Sequence, residues 1–80
     1  MTKEKLADWF ENKLADELGK KPNEISLSVP IEEYHLDSIS LVSLSQDLED
    51  FVGFYIEPTI FTEFETINEV MQWILDRQNS

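Results

Sequence analysis

Apolar residues recur at helical spacing in three stretches of the chain. Leu6, Phe10, Leu14 and Leu18 fall four residues apart with Trp9 beside them, which predicts a helix over residues 3–18 with one apolar stripe. Thr2 can cap its start and Gly19 can end it. The last stretch has the clearest signature. Thr66, Ile67, Asn68 and Glu69 form a capping box, and Ile67, Val70, Met71, Ile74 and Leu75 follow at i, i+3, i+4, i+7 and i+8. A middle helix starts at Asp37 or Ser38 and ends near Val52, with Gly53 as its stop. Its buried side carries Leu41, Leu44, Leu48 and either Phe51 or Val52, and Asp37 makes a good N-cap.

The segments between these helices read differently. Residues 20–36 alternate Ile25, Leu27, Val29 and Ile31 with polar residues, a strand-like pattern, but Pro22 and Pro30 bound it and no partner strand is in sight. We read a long ordered loop pinned across the helices by its apolar residues. Between Gly53 and Thr66, Pro58 and the patch of Ile60, Phe61 and Phe64 predict a turn and a short helix. The expected fold is all-α: a small bundle of three long helices and one short helix, with the long loop joining helices 1 and 2. It has no internal repeat and forms one domain over residues 1–80.

Size narrows the functional classes. A chain of 80 residues buries only about 60% of its unfolded surface, so a deep cleft with its own supporting shell is not expected, and neither is catalysis. There is no cysteine, hence no disulfide, no thiolate nucleophile and no cysteine-bound zinc. No apolar run approaches the roughly 18 residues of a membrane span, and the first stretch lacks the apolar core of a signal peptide, so a cytoplasmic chain is expected.

Charge is spread unevenly. Seventeen acids against six bases give a net charge of -11, yet residues 1–21 balance five lysines against five acids. Residues 22–76 hold twelve acids and neither lysine nor arginine. Such a surface repels phosphate backbones and anionic lipid, which disfavours nucleic acid and membrane, and it speeds encounter with basic patches. Solubility alone is an equal explanation of the acidity.

His35, Asp37 and Ser38 are the one set of triad-type residues close in sequence, but side chains so near one another diverge around a helix start and no GxSxG elbow is present. His35 with Glu32, Glu33 and Asp37 lacks metal-ligand spacing, and Asp47, Glu49 and Asp50 lack the glycine of a calcium loop. Ser38 remains, at the mouth of an acidic helix.

The stretch Leu36-Asp37-Ser38-Ile39, followed by Val42, Leu44, Leu48 and Glu49, resembles the phosphopantetheine attachment motif of acyl carrier proteins, in which an Asp-Ser pair opens the second helix. Downstream, Ile56-Glu57-Pro58-Thr59 and then Phe61, Phe64, Thr66 and Ile67 are similar to the third-helix and fourth-helix signature of polyketide-synthase carrier domains. The resemblance covers nearly the whole chain and implies an acyl-carrier-like fold. It implies 4'-phosphopantetheine, taken from coenzyme A, on Ser38, supplying the thiol that this chain lacks. Asp37 is then the acid that helps the transferase engage the serine with its metal. Ile39 corresponds to a usual docking contact, and Val42, Gln46, Asp47, Glu49 and Asp50 continue the outer face of the helix as candidate partner contacts. Core packing is the competing role for Ile39 and Val42, and plain solubility for Glu49 and Asp50.

The implied function is a monomeric carrier, without catalysis of its own, that moves thioester-bound intermediates in polyketide or fatty acid biosynthesis. Its implied partners are a phosphopantetheinyl transferase, acyl-loading enzymes (acyltransferase or ligase), a condensing ketosynthase and a thioesterase. The competing reading is an acidic helical adaptor for a basic partner, with Ser38 serving only as a helix cap. Three positions stand out. His35 replaces the glycine usual before the Asp-Ser pair, which predicts an altered turn or a pH-sensitive contact; Ser43 replaces an acid, which shifts docking toward apolar contact; and Trp73 lies off the apolar stripe, as an edge cover or a contact surface.

Overall fold

The computed structural model describes residues 2–79. Helix α1 spans Lys3–Leu18, α2 Ser38–Val52, α3 Ile60–Glu63 and α4 Ile67–Gln78, and the loop between α1 and α2 contains two 3-10 turns, Pro22–Glu24 and Ile31–Tyr34. The caps follow from local chemistry. Thr2 Oγ1 accepts the Lys5 N–H at 3.2 Å, and Gly19 closes α1 at φ 66°, a left-handed value that an L side chain resists. Gly53 ends α2 in the same way at φ 83°.

One apolar core joins all four helices. Leu6, Phe10 and Leu14 from α1 meet Leu44 and Leu48 from α2, Ile60 and Phe61 from α3, and Ile67, Val70, Met71 and Ile74 from α4, all buried. Phe10 meets Phe61 edge to face at 6.3 Å between ring centroids, a packing that the ring quadrupoles favour. Trp73 covers an edge of the bundle: it is half-buried, its ring lies 6.4 Å from that of Phe54, and the Arg77 guanidinium lies 5.6 Å from each ring.

The long loop is ordered because α4 and the two residues before it hold it. The Leu27 carbonyl accepts the Asn68 N–H at 3.1 Å, the Glu65 carbonyl accepts the Ile31 N–H at 2.7 Å, and Pro30 forms an isolated antiparallel bridge with Thr66. Ile25 and Ile31 are buried and Leu27 and Val29 half-buried, so the alternating residues do pin the loop. The Tyr34 hydroxyl donates to the Ser26 carbonyl and draws the loop back on itself.

One alternative is resolved here and one expectation corrected. Of Phe51 and Val52, it is Val52 that turns inward, while Phe51 is 38% exposed and stacks on Trp9 at 5.2 Å with 12° between the rings. Glu69 donates its N–H to Thr66 Oγ1 at 3.2 Å, but its carboxylate accepts from Glu65 rather than from Thr66, at 3.0 Å. Thr66 is the residue bridged to Pro30, and the reciprocal half of the capping box moves one residue outward. At His35 the backbone is left-handed. The residue sits at φ 56°, ψ 38°, the conformation that glycine takes without strain, and is the one non-glycine among the described residues with positive φ.

Candidate functional site

The start of α2 lies between two concave surfaces. Asp37 is the cap: its Oδ1 accepts the Ser40 N–H at 2.8 Å. Hydrogen bonding from Ser40, chiefly its backbone N–H, with a smaller contribution from the Ile39 N–H, holds the Asp37 carboxyl below its ordinary pKa despite opposition from desolvation. Ser38, the first residue of the helix, is exposed. The cap role therefore belongs to its neighbour, which removes the helix-cap explanation for Ser38. The Ser38 oxygen stands where first-turn N–H groups and the positive end of the helix dipole favour an anion.

On the outer side of Ser38, a shallow recess of about 330 Å³ is lined by Ser38, Ile39, Val42, Ser43 and Gln46. Ile39 is 81% exposed and Val42 38%, which excludes core packing for both. On the other side, Leu36, Leu41, Ile31, Phe61 and Phe64 line a larger groove of about 540 Å³, with Glu32, Glu63 and Glu65 also contributing.

The remaining acids of α2 are placed differently from one another. Asp47 pairs with Lys13 of α1 at 3.5 Å, and Lys13 also stands over the Trp9 ring at 5.6 Å. Glu49 does not continue the outer face: it is half-buried, and its Oε1 accepts the Ile56 N–H at 2.9 Å. Asp50 is exposed. No hydrogen bond joins His35, Asp37 and Ser38, so the triad-type residues do not assemble, and among the described residues no three His, Asp or Glu side chains converge as a metal site.

Two contacts at the site escaped sequence reasoning. Ser40 Oγ donates to Glu17 Oε2 at 3.4 Å, linking the start of α2 to α1, and the fully buried Ser45 donates its hydroxyl to the Val42 carbonyl at 2.6 Å. The position of neither serine in the sequence carries a signal of its contact.

This donor set fits a phosphodiester. An accessible hydroxyl stands at a helix N-terminus, with apolar surface on both sides for a flexible arm and its cargo. Comparison with known proteins agrees. The family profile described as "Phosphopantetheine attachment site" matches residues 8–74. The chain is 30% identical over 70 residues to part of the polyketide synthase PksL of Bacillus subtilis, covering 88% of this chain and 2% of that synthase. It is 32% identical over 77 residues to an acyl carrier protein of Saccharopolyspora erythraea, covering 95% of this chain and 81% of the relative. A crystal structure of a free-standing peptidyl carrier protein from Acinetobacter baumannii superposes with a TM-score of 0.85 at 29% identity, covering 95% of each chain. The chain belongs to the phosphopantetheine attachment family, and is a helical carrier protein for 4'-phosphopantetheine.

Proposed function

We propose that Ser38 Oγ is the anchor of the prosthetic group, and that residues 1–80 act as a single carrier domain in polyketide or fatty acid biosynthesis. The carrying observation is the division of labour at α2: Asp37 caps the helix and Ser38 is exposed beside it. Bound there, the group supplies a thiol that forms thioesters with acyl intermediates.

The chain's own residues present and orient. The N-terminus of α2 favours the phosphodiester charge, offsetting part of the repulsion from Asp37. Ile39, Val42 and Gln46 form the docking face beside the anchor, with Asp50 at its far end. Tethering to a small domain raises the cargo's effective concentration at each partner active site. Catalysis belongs to the partners: a phosphopantetheinyl transferase, an acyl-loading acyltransferase or ligase, a ketosynthase and a thioesterase. The protein works as a monomer in the cytoplasm. Support for the pathway comes from the relatives; among the described residues no helix is long and apolar enough to cross a membrane.

Intact-mass measurement after incubation with a phosphopantetheinyl transferase and coenzyme A tests the anchor. The wild type should gain one phosphopantetheine and Ser38→Ala none. A wild type that stays unmodified, or a Ser38→Ala chain that is modified, overturns the assignment.

A further inference from the structure

Trp73 covers an edge of the bundle and also separates two recesses between α3 and α4. One, of about 140 Å³, is bounded by Tyr55, Ile60 and the carboxylates of Glu57 and Glu63. The other, of about 370 Å³, is bounded by Phe64, Gln72 and the carboxylates of Glu69 and Asp76. Trp73 lines both. Apolar surface is therefore open at the centre of this face: Trp73 and Phe64 are half-buried, and Tyr55 is 64% exposed.

Negative charge stands on both sides of that centre. Glu57, Glu63, Glu69 and Asp76 are all exposed. Arg77 is the one base that lines either recess, and its guanidinium already lies 5.6 Å from the Trp73 and Phe54 rings. The remaining lining residues fall within residues 22–76, which contain no lysine or arginine. An aromatic centre inside an acidic rim attracts a segment that carries both apolar side chains and cations, and repels phosphates and anionic lipid. The smaller recess falls short of the roughly 300 Å³ of an ordinary small-molecule pocket. Two open hollows about one ring instead suit neighbouring side chains on one face of a helix.

We propose that the Trp73 face is a second docking surface, which takes a basic amphipathic helix of a partner protein. Apolar side chains of that helix sit on either side of the Trp73 ring, and its lysines or arginines meet Glu57, Glu63, Glu69 and Asp76. A second copy of this chain does not supply such a helix. Its lysine-bearing helix, α1, buries Leu6, Phe10 and Leu14 in its own core, and Trp9 is stacked on Phe51. The two recesses share no residue with the one at Ser38, so a bound helix leaves Ser38, Ile39 and Val42 uncovered. One protein can then hold the domain through α3 and α4 while the start of α2 meets others, which raises its effective concentration at each. The proposal does not depend on Ser38 being the anchor.

The test is titration of the apo protein with three synthetic peptides. The first carries leucines at i, i+3, i+4 and i+7 and lysines elsewhere; the second has glutamates in place of the lysines; the third has the composition of the first without an apolar stripe. Binding constants are measured at low and high sodium chloride, and the indole N–H signals of Trp73 and Trp9 are followed by NMR. The first peptide should bind and shift Trp73 more than Trp9, and its affinity should fall about fivefold or more at high salt. The third should bind about fivefold more weakly or worse, and the second not at all. Trp73→Ala should weaken the first peptide about tenfold or more. Trp73 contributes to the bundle edge, so a pair of exposed substitutions, Glu57→Gln with Asp76→Asn, tests the face with the ring in place. That pair should cost about threefold or more at low salt, and Glu4→Gln with Asp16→Asn, the same change of charge on α1, clearly less. No binding of the first peptide, equal losses from the two pairs, equal binding of the first and third peptides, or shifts centred on Ile39 and Val42 overturns the proposal. Self-association of the protein alone that Trp73→Ala abolishes assigns the face to a second copy and likewise overturns it.

Discussion

The Glu49 carboxylate accepts the Ile56 N–H at 2.9 Å, tying the last turn of α2 to the first residue that re-enters the core after Gly53. Ile56 is buried, so without that acceptor its N–H loses a partner where water has little access. Glu49→Ala should lower stability by about 1–3 kcal/mol, the range for leaving a buried donor unsatisfied. Glu49→Gln keeps an acceptor oxygen and should lose less. Urea midpoints of the two variants check the order. If both match the wild type, Glu49 is a solvated surface acid.

Asp37 and Ser38 should separate cleanly under substitution. Asp37→Ala removes the cap and should lower the unfolding midpoint, whereas Ser38→Ala should leave it nearly unchanged. The sign of the pH dependence follows from the bonds at Asp37. They depress its folded pKa, so its contribution is fully present above the ordinary value of 3.8 and is lost as pH falls through the lower folded value. Asp37→Asn should flatten that part of the acid limb. Thermal melts across the acid range read both effects, and a melt in which Ser38→Ala costs as much as Asp37→Ala contradicts the assignment of the cap.

His35 holds a left-handed backbone that costs an L side chain about 1–2 kcal/mol relative to glycine. His35→Gly relieves that strain but gives the unfolded chain more freedom, so the net gain should be at most about 1 kcal/mol. His35→Val, stiff at its branched carbon, should lose about 1–2 kcal/mol. Denaturant titration of the pair is decisive: equal stabilities would mean that this turn does not hold residue 35 at positive φ.

Helices were legible wherever one element determined the pattern. The fourfold spacing of Leu6, Phe10 and Leu14 and the i, i+3, i+4 spacing of α4 report a buried face whatever lies opposite. Asp37 was readable as a cap because capping is local. Contacts between distant segments left no such trace. Nothing in residues 20–36 indicates that the Leu27 carbonyl meets Asn68, and Phe51 looks like core until Trp9 is seen to take it as a stacking partner. At the site, local pattern put Ser38 at the start of α2, and the resemblance put Ile39 and Val42 on its outer face, which their exposure matches. The inward turn of Glu49 depends on a loop that doubles back seven residues later, and spacing within α2 cannot encode it.

Tyr34 gives the protein an alkaline limit. Its hydroxyl donates to the Ser26 carbonyl, and burial pushes the phenol pKa above its ordinary value of 10.0. A raised folded pKa contributes stability that is fully present below 10.0 and is lost as pH rises through the higher folded value, because the unfolded chain releases the proton first. Tyr34→Phe removes both the bond and the titration. It should cost about 1 kcal/mol at neutral pH, where the loop loses its internal tie, and the gap to the wild type should narrow as the solution is made alkaline. Denaturant unfolding at neutral pH and above the ordinary phenol pKa measures the two differences. A gap that stays constant or widens with pH would show that the phenol titrates alike in the folded and unfolded chain, and that burial at Tyr34 does not oppose its ionisation.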